Sequence, residues 1–348
     1  MTDEGTLPVH RDGVTMADIA ALAGVSVPTV SKVLNARSDV SPKTRERVER
    51  VIRERGYVRN TAARALRGGS SGLVDVVVHD LESPYHLEVL RGIEAALDRA
   101  DLAMVVSALH GRTRPARQWL EGVKARSSDA VILVLATSPP DQVAELRRFG
   151  IPFVVLDSWG QTDADIPSVG ATNWAGGFAA TEHLLSLGHK RIAMIGGPER
   201  LLSSKARVAG YGAALEAAGI PVETQLCRPG DFLASRGEQE TYALLDLDVP
   251  PTAIFAGSDL QALGAYRALR ARNLVVPNDV SVVGFDDLPI AALAAPPLTT
   301  VRQPLVEMGR MAVDMVLRLL DGDVLQGGRV ELPTSLVVRE SAISVGTP

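Results

Sequence analysis

The sequence predicts an α/β protein: an N-terminal helix-turn-helix headpiece followed by two doubly wound parallel-sheet lobes. Three observations carry this. Residues 15–56 show short helical patterns broken by glycine-containing turns. From Leu73 onward, β-rich runs alternate with helical stretches in two successive series, each about one domain long. The positive charge is confined to the first region. Residues 14–70 hold 11 Lys and Arg against 5 Asp and Glu, a net of +6, inside a 348-residue chain whose total is −5.

Length and composition bound the rest. At about 150 residues per domain the chain has room for two or three. With 46% hydrophobic and 22% charged residues it is composed as a globular protein, which excludes global disorder. No stretch reaches the ~18 apolar residues of a spanning helix. The first residues, MTDEGTLPVHRDG, contain no apolar export segment, so a cytoplasmic, nucleoid-associated location is expected. Cys227 is the single cysteine, which rules out an internal disulfide and fits a reducing compartment.

The elements follow in order. Thr15 and Asp18 form a capping-box-like start for a helix over about 15–22, with Met16, Ile19, Ala20 and Ala23 apolar. Gly24 supplies a tight connection. Ser26 is an N-cap for a second helix over about 26–34, and Pro28 is tolerated in its first turn. Val30, Val33 and Leu34 face inward, leaving Thr29, Ser31 and Lys32 on other faces. Ser41-Pro42 opens a third helix that ends at Gly56, with Tyr57 packing beneath. Residues 60–67 suit a short fourth helix capped by Asn60, too short to be stable without a partner. Residues 68–72 read as a flexible linker. Strands are expected at 73–78, 102–106, 130–135 and 152–156, with helices near 85–99, 114–126 and 140–149. The second series has strands at 191–195, 252–255 and 281–285, and helices near 173–187, 204–218, 235–246 and 259–272.

A basic unit on an acidic body points to an anionic polymer partner for that unit. The alternative is a solvated helix face with pairs such as Glu46–Arg50, and charge alone does not choose between them. A helix-turn-helix does choose, because its second helix starts where a major groove would be read. In the body, ligands favour the C-terminal ends of strands between wound lobes. Ser83, Tyr85, Asp157, Asn173, Arg207, Phe232, Ser258 and Asp286 fall near such ends. An arginine with Asp, Asn and an aromatic plate suits a polyhydroxylated ligand.

These residues resemble the LacI/GalR family of bacterial transcriptional regulators, of which the lactose repressor is one, over about 14–342. The N-terminal block runs from Val14 to Ser26, then Thr29 to Asn35, Val40 to Arg45, Gly56-Tyr57 and Asn60 to Leu66. In the body the likeness rests on Ser83-Pro84-Tyr85, Arg91-Gly92-Ile93, 188–193, 195–198, Arg207 with Gly210-Tyr211, Ser258-Asp259, Leu263-Gly264, 280–287 and 297–303. The resemblance implies a periplasmic-binding-protein-like body. It implies a headpiece at 14–58, a hinge helix and linker at 59–71, and a core at 72–342. The N-lobe would be about 72–168 with 299–328, and the C-lobe about 169–298 with 329–342. It also implies DNA contacts from Thr15, Ser26, Val27, Pro28, Thr29, Ser31, Lys32, Asn35, Tyr57 and Asn60, and a minor-groove wedge at Leu66 beside Ala63. Val27 and Pro28 would read by apolar contact and shape, and Lys32 by donating to guanine.

The effector would lie at Tyr85, Asn173, Arg207, Phe232, Ser258 and Asp286, with Gln303 and Asp157 at the lobe crossings. Ser258, His86 and Glu82 depart from the residues frequent in the family. A sugar or sugar derivative is expected, with a purine or another small metabolite as the alternative. Paired hinges imply a homodimer on a near-palindromic, double-stranded operator. No heptad tail is present to drive a tetramer.

No enzyme is expected. The phosphate-loop, HExxH, Ser-x-x-Lys and Gly-x-Ser-x-Gly patterns are absent, and the six histidines show no metal spacing. No catalytic residue, metal, cofactor or membrane partner is therefore assigned. A sugar-binding protein without a regulatory role is the remaining alternative, and it leaves the basic headpiece without a purpose.

Overall fold

In the computed structural model, residues 14–34, 37–57, 70–109, 116–134, 140–157, 166–325 and 328–346 are described. The chain divides into two compact units, residues 1–69 and residues 70–348.

The first unit is built on three helices, α1 (Met16–Ala23), α2 (Val27–Leu34) and α3 (Pro42–Arg55). Their ends are set by local chemistry. Asp18 N–H donates to Thr15 Oγ1 while Thr15 N–H donates to Asp18 Oδ2 at 2.8 Å, a complete capping box. Ser41 Oγ accepts from Thr44 N–H ahead of Pro42 at the first turn. Gly24 and Gly56 close α1 and α3 at φ 62° and 58°, a conformation that costs only glycine nothing. Ile19, Ala20, Ala23, Val30, Val33, Val48 and Val51 form the core, with Tyr57 half-buried against it.

The second unit holds two six-stranded sheets. The N-lobe sheet comprises β1 (Leu73–Val78), β2 (Ala103–Ala108), β3 (Ala130–Val134), β4 (Phe153–Leu156), β5 (Ser168–Ala171) and β11 (Arg329–Leu332), in the order β11-β5-β4-β3-β1-β2 and parallel throughout. The C-lobe sheet comprises β6 (Ile192–Ile195), β7 (Cys227–Arg228), β8 (Ala253–Ala256), β9 (Ser281–Asp286), β10 (Thr299–Arg302) and β12 (Ser335–Val337), in the order β12-β10-β9-β8-β6-β7. Among the described strands, only the β10–β12 pair is antiparallel.

Alternation along each central strand fills two cores. Val74, Val76 and Val78 face α4 (Pro84–Arg99) and α12 (Leu305–Leu320), whereas Val77, Val131, Leu133 and Val155 face α5 (Ala116–Arg126) and α6 (Pro140–Arg148). In the C-lobe, Ile254, Ala256 and Val282 pack with α9 (Ala234–Leu245) and α10 (Asp259–Ala271). Met194, Phe255 and Phe285 pack with α7 (Asn173–Ser186) and α8 (Leu202–Ala217). A short α11 (Pro289–Leu293) follows β9.

The strand pairings correct the expected lobe limits. Residues 168–171 continue the N-lobe sheet, so the first crossing falls at Thr172 rather than after residue 168. Residues 299–302 pair with β9, placing them in the C-lobe, and residues 329–332 pair with β5, placing them in the N-lobe. The reason is geometric: the chain changes lobe only after finishing a strand, at the C-terminal edge of a sheet. Thr172 and Thr334 tie two of the three crossings together, with their hydroxyls 3.0 Å apart and Thr334 N–H donating to Thr172 Oγ1 at 2.9 Å.

Candidate functional site

The strand C-termini of both lobes open onto one cavity of about 300 Å³. His79 and Asp80 follow β1, Ser83, Tyr85 and His86 begin α4, and Asp157 follows β4. From the C-lobe come Pro198, Arg200, Leu201 and Ser203 after β6, Arg207 on α8, Asp231 to Leu233 after β7, Ser258 and Leu260 at α10, Asp286 at the end of β9 and Leu288 beyond it. Backbone strain marks the same places. Asp157, Phe232 and Asp286 hold φ of 48°, 69° and 115°, values that a non-glycine residue keeps only where the surroundings enforce them.

Arg207 is the centre of the polar floor and is 3% exposed. Its Nε donates to Asn173 Oδ1 at 2.8 Å and its Nη1 to Gly257 O at 2.5 Å, with Asp286 Oδ1 3.6 Å away. Its guanidinium carbon lies 3.7 Å from the centre of the Phe285 ring and 5.1 Å from that of Phe232. The helices allow this because Gly177 and Gly210 let α7 and α8 touch. A Cβ on Gly177 would lie 2.3 Å from Arg207 O, and one on Gly210 2.2 Å from Trp174 O. Gln303 Nε2 donates to Asp286 Oδ1 at 2.7 Å, and Tyr85 OH donates to Asp157 Oδ2 at 2.6 Å. Ser258 caps α10 and donates to Phe232 O at 3.0 Å.

Burial dominates the ionisation of these acids. It pushes the Asp286 carboxyl up to about 7, with Arg207 and Gln303 pulling the other way. Asp157 is raised by burial against the Tyr85 hydrogen bond. Asp259 behind them is raised further by burial and by the charge of Asp286. A carboxyl raised on folding holds its proton to higher pH folded than unfolded. Its contribution to stability is therefore complete below the ordinary value of 3.8 and is lost as pH climbs through about 7. Replacing Asp286 with Asn keeps the acceptor for Gln303 and removes this titration. The melting temperature of wild type relative to D286N is expected to fall from about pH 5 to about pH 7.5. A difference that stayed flat would show that Asp286 ionises normally.

Seven of the expected effector residues line the cavity: Ser83, Tyr85, Asp157, Arg207, Phe232, Ser258 and Asp286. Asn173 and Gln303 stand behind it, orienting Arg207 and Asp286. Sequence reasoning missed His79, Asp80, Leu201, Asp231 and Leu288, although the ends of β1 and β9 were the signal for three of these. It also missed the reason for Gly197. A Cβ there would sit 2.1 Å from the Phe232 ring, so glycine lets the ring lie against the turn after β6. Gly197→Ala is expected to tilt Phe232 and weaken small-molecule affinity about tenfold while leaving the melting temperature nearly unchanged. Titration calorimetry alongside a melt would check it, and unchanged affinity would remove the ring from the site.

The first unit presents a different surface. The axes of α1 and α2 bend by 102°, within the range of a helix-turn-helix. Ser26 Oγ lies 2.9 Å from Thr29 Oγ1 at the start of α2, and Val27, Pro28 and Lys32 are exposed. Lys32 Nζ meets Asp39 Oδ2 at 2.6 Å. Ser31 is half-buried on α2, and Thr15 is spent on the capping box. Tyr57 packs on the core, with its N–H donating to Ile52 O at 3.1 Å. Asn35, Asn60, Ala63 and Leu66, with the expected fourth helix, lie outside the described residues.

A helical unit shaped to read a duplex, in one chain with a two-lobed body whose strand ends converge on a polar cavity, defines a ligand-responsive regulator of transcription. Comparison with known proteins gives the family. Residues 15–60 match the signature of bacterial regulatory proteins of the lacI family, and residues 181–342 match a periplasmic binding protein-like domain. The ribose operon repressor of Escherichia coli is 33% identical over 94% of this chain and 99% of its own length. Among solved structures, the Lac repressor dimer bound to operator and the anti-inducer ONPF aligns with a TM-score of 0.85 at 33% identity, covering 96% of this chain and 100% of that one. The CelR–cellobiose complex aligns at 0.74 and 34%, covering 94% and 99%. The chain belongs to the LacI family, and it is a DNA-binding transcriptional regulator switched by a small molecule.

Proposed function

We propose that the protein is a repressor that binds a near-palindromic operator as a homodimer and responds to a neutral sugar or sugar derivative in the interlobe cavity. The observation that carries the ligand class is the Arg207 floor. With Nε and Nη1 engaged inside the protein, the fork offers its remaining edge to hydroxyls beside Asp286. The Asp286 carboxyl, raised by burial to about 7, can both donate and accept near neutrality, which suits a polyol better than an anion or a cation. Phe232 supplies the apolar plate for the face of a sugar ring. The cytoplasmic work at DNA, the absence of catalysis and the DNA roles of Val27, Pro28 and Lys32 belong to the same proposal.

The relatives support it. One is named for ribose, one is solved with cellobiose, and one is solved as a dimer on operator. A thermal-shift screen of the full chain against ribose, glucose, cellobiose, adenosine and cytidine tests the ligand class, because a bound molecule raises the melting temperature by mass action. A shift with a sugar and none with the nucleosides is expected, and the reverse would replace sugar by nucleoside.

A further inference from the structure

The loop that carries Asp231 and Phe232 to the cavity, residues 229–233, joins Arg228 at the end of β7 to the first turn of α9. Its conformation is a demanding one. Phe232 keeps a φ of 69°, and its ring lies so near Gly197 that a Cβ there would sit 2.1 Å from it. Gly230 passes as tightly, since a Cβ on it would meet Gly196 O at 1.9 Å. Within the loop, Leu233 N–H donates to Asp231 Oδ1 at 2.8 Å, and Ser258 Oγ donates to Phe232 O at 3.0 Å.

One side chain holds both ends of this loop. Glu240, on α9, is 2% exposed and does not line the cavity. Its Oε2 accepts from Arg228 Nε at 2.7 Å, and Arg236 Nη2 lies 2.7 Å from its Oε1. Arg228 precedes the loop and Arg236 follows it, so the carboxylate fixes the strand end against the helix start. Arg228 is also tied through its backbone, its carbonyl accepting from Gly196 N–H at 2.9 Å, in the turn that sets Gly197 under the Phe232 ring. The neighbours of Glu240 on the inner face of α9 are Gly237, Thr241 and Leu244, all buried. A small or apolar residue would pack there without the desolvation of a carboxylate, and a buried ion pair adds little net stability over such a replacement. What the pair does add is a fixed geometry, and the part it fixes is the seat of Phe232.

We propose that Glu240 is a positioning residue of the effector site: by bridging Arg228 and Arg236 it sets the loop 229–233 so that the Phe232 ring presents its face to the ligand. This rests on the reading of Phe232 as the plate for the ligand ring. Affinity then depends on a carboxylate that the ligand never touches. With the bridge cut, the loop ends relax and the ring turns, and the ligand must order both before it gains their contact.

The test uses the full chain with Glu240→Gln, which keeps the shape and removes the charge, and with Arg228→Gln, which cuts the bridge on the strand side. Without ligand, hydrogen–deuterium exchange at the amides of residues 230–233 is expected to speed about tenfold in both variants, while the rest of the C-lobe exchanges as in wild type. Titration calorimetry then uses whichever of ribose, glucose, cellobiose, adenosine and cytidine raises the melting temperature. Glu240→Gln is expected to bind it about tenfold more weakly, the scale of a lost aromatic contact. Phe232→Ala is expected to bind weakly as well, and adding Glu240→Gln to it should change nothing further, because the loop then has no ring to aim. Unchanged exchange at 230–233, or faster exchange throughout the C-lobe, would overturn the bridge as a positioning device. So would full affinity in Glu240→Gln, or an equal loss with and without Phe232. Wild-type affinity in Phe232→Ala would remove the plate, and the positioning role with it. If none of the five probes binds wild type, the sugar reading falls, and the exchange result by itself upholds or overturns the bridge.

Discussion

Arg207→Ala is expected to erase the response to the small molecule and to leave operator affinity within about twofold of wild type, since mutations in separate units with no shared partners act independently. Arg207 belongs to the second unit, and the headpiece core is built from residues of the first, Ile19, Val30 and Val48 among them. In the body, by contrast, three partners depend on it. Asn173 Oδ1 and Gly257 O lose their donor, and Asp286 loses the guanidinium 3.6 Å from it. Breaking a buried charge pair from one side costs about 3–5 kcal/mol in general, because the remaining charge stays buried. Here Asp286 already titrates near neutrality, so it takes up a proton and blunts that cost. The variant should therefore fold with a lowered melting temperature, and its affinity for the sugar should drop by about a hundredfold or more, the range for losing a charged hydrogen-bonding fork. Arg207→Lys should recover stability better than response, since an ammonium keeps the charge without the two-edged geometry. Operator binding measured by fluorescence anisotropy, with and without the sugar found in the screen, separates the two effects. A normal response in Arg207→Ala would remove Arg207 from the site.

What could be read beforehand divides along a physical line. The headpiece was legible because its determinants are local. Thr15 with Asp18, Ser41 with Pro42, and the glycines 24 and 56 each set a helix end within four residues of chain. The strand-end rule brought most of the cavity wall into view, since Asp157, Ser258 and Asp286 lie at or just past the ends of strands that alternate visibly with helices. The lobe limits were not legible. Whether 299–302 joins one sheet or the other depends on pairing with β9 and not on its own residues, and 329–332 pairs with residues more than 150 positions earlier. α12 was passed over although Leu305, Met308, Ala312, Val313 and Val316 recur at helical spacing, because the alternating series had already supplied two complete lobes. The split between residues that line the cavity and those behind it, Asn173 and Gln303, was equally hidden. Both kinds sit at strand or crossing ends, and only side-chain direction separates them.

Removal of residues 1–69 is expected to abolish DNA retention while leaving sugar binding and the melting transition of the body intact. The body, residues 70–348, is a compact unit with four hydrophobic clusters built, among the described residues, from its own strands and helices. It also carries a net charge of −9, so it repels a duplex instead of holding it weakly. The charge that releases counterions from DNA is the +6 of residues 14–70. In a gel shift against random-sequence duplex and against selected operator, the truncated chain should therefore lose both specific and non-specific binding, by about a thousandfold or more for the specific site. The full chain should show a steep fall of affinity with salt, and the truncated chain none to measure. The sugar titration must be run on the same preparation, because a body that had lost its ligand as well would signal misfolding. A truncated chain that still retained the operator would place the duplex on the acidic body, against its own field, and would break the link drawn here between the basic helices and the reading of DNA.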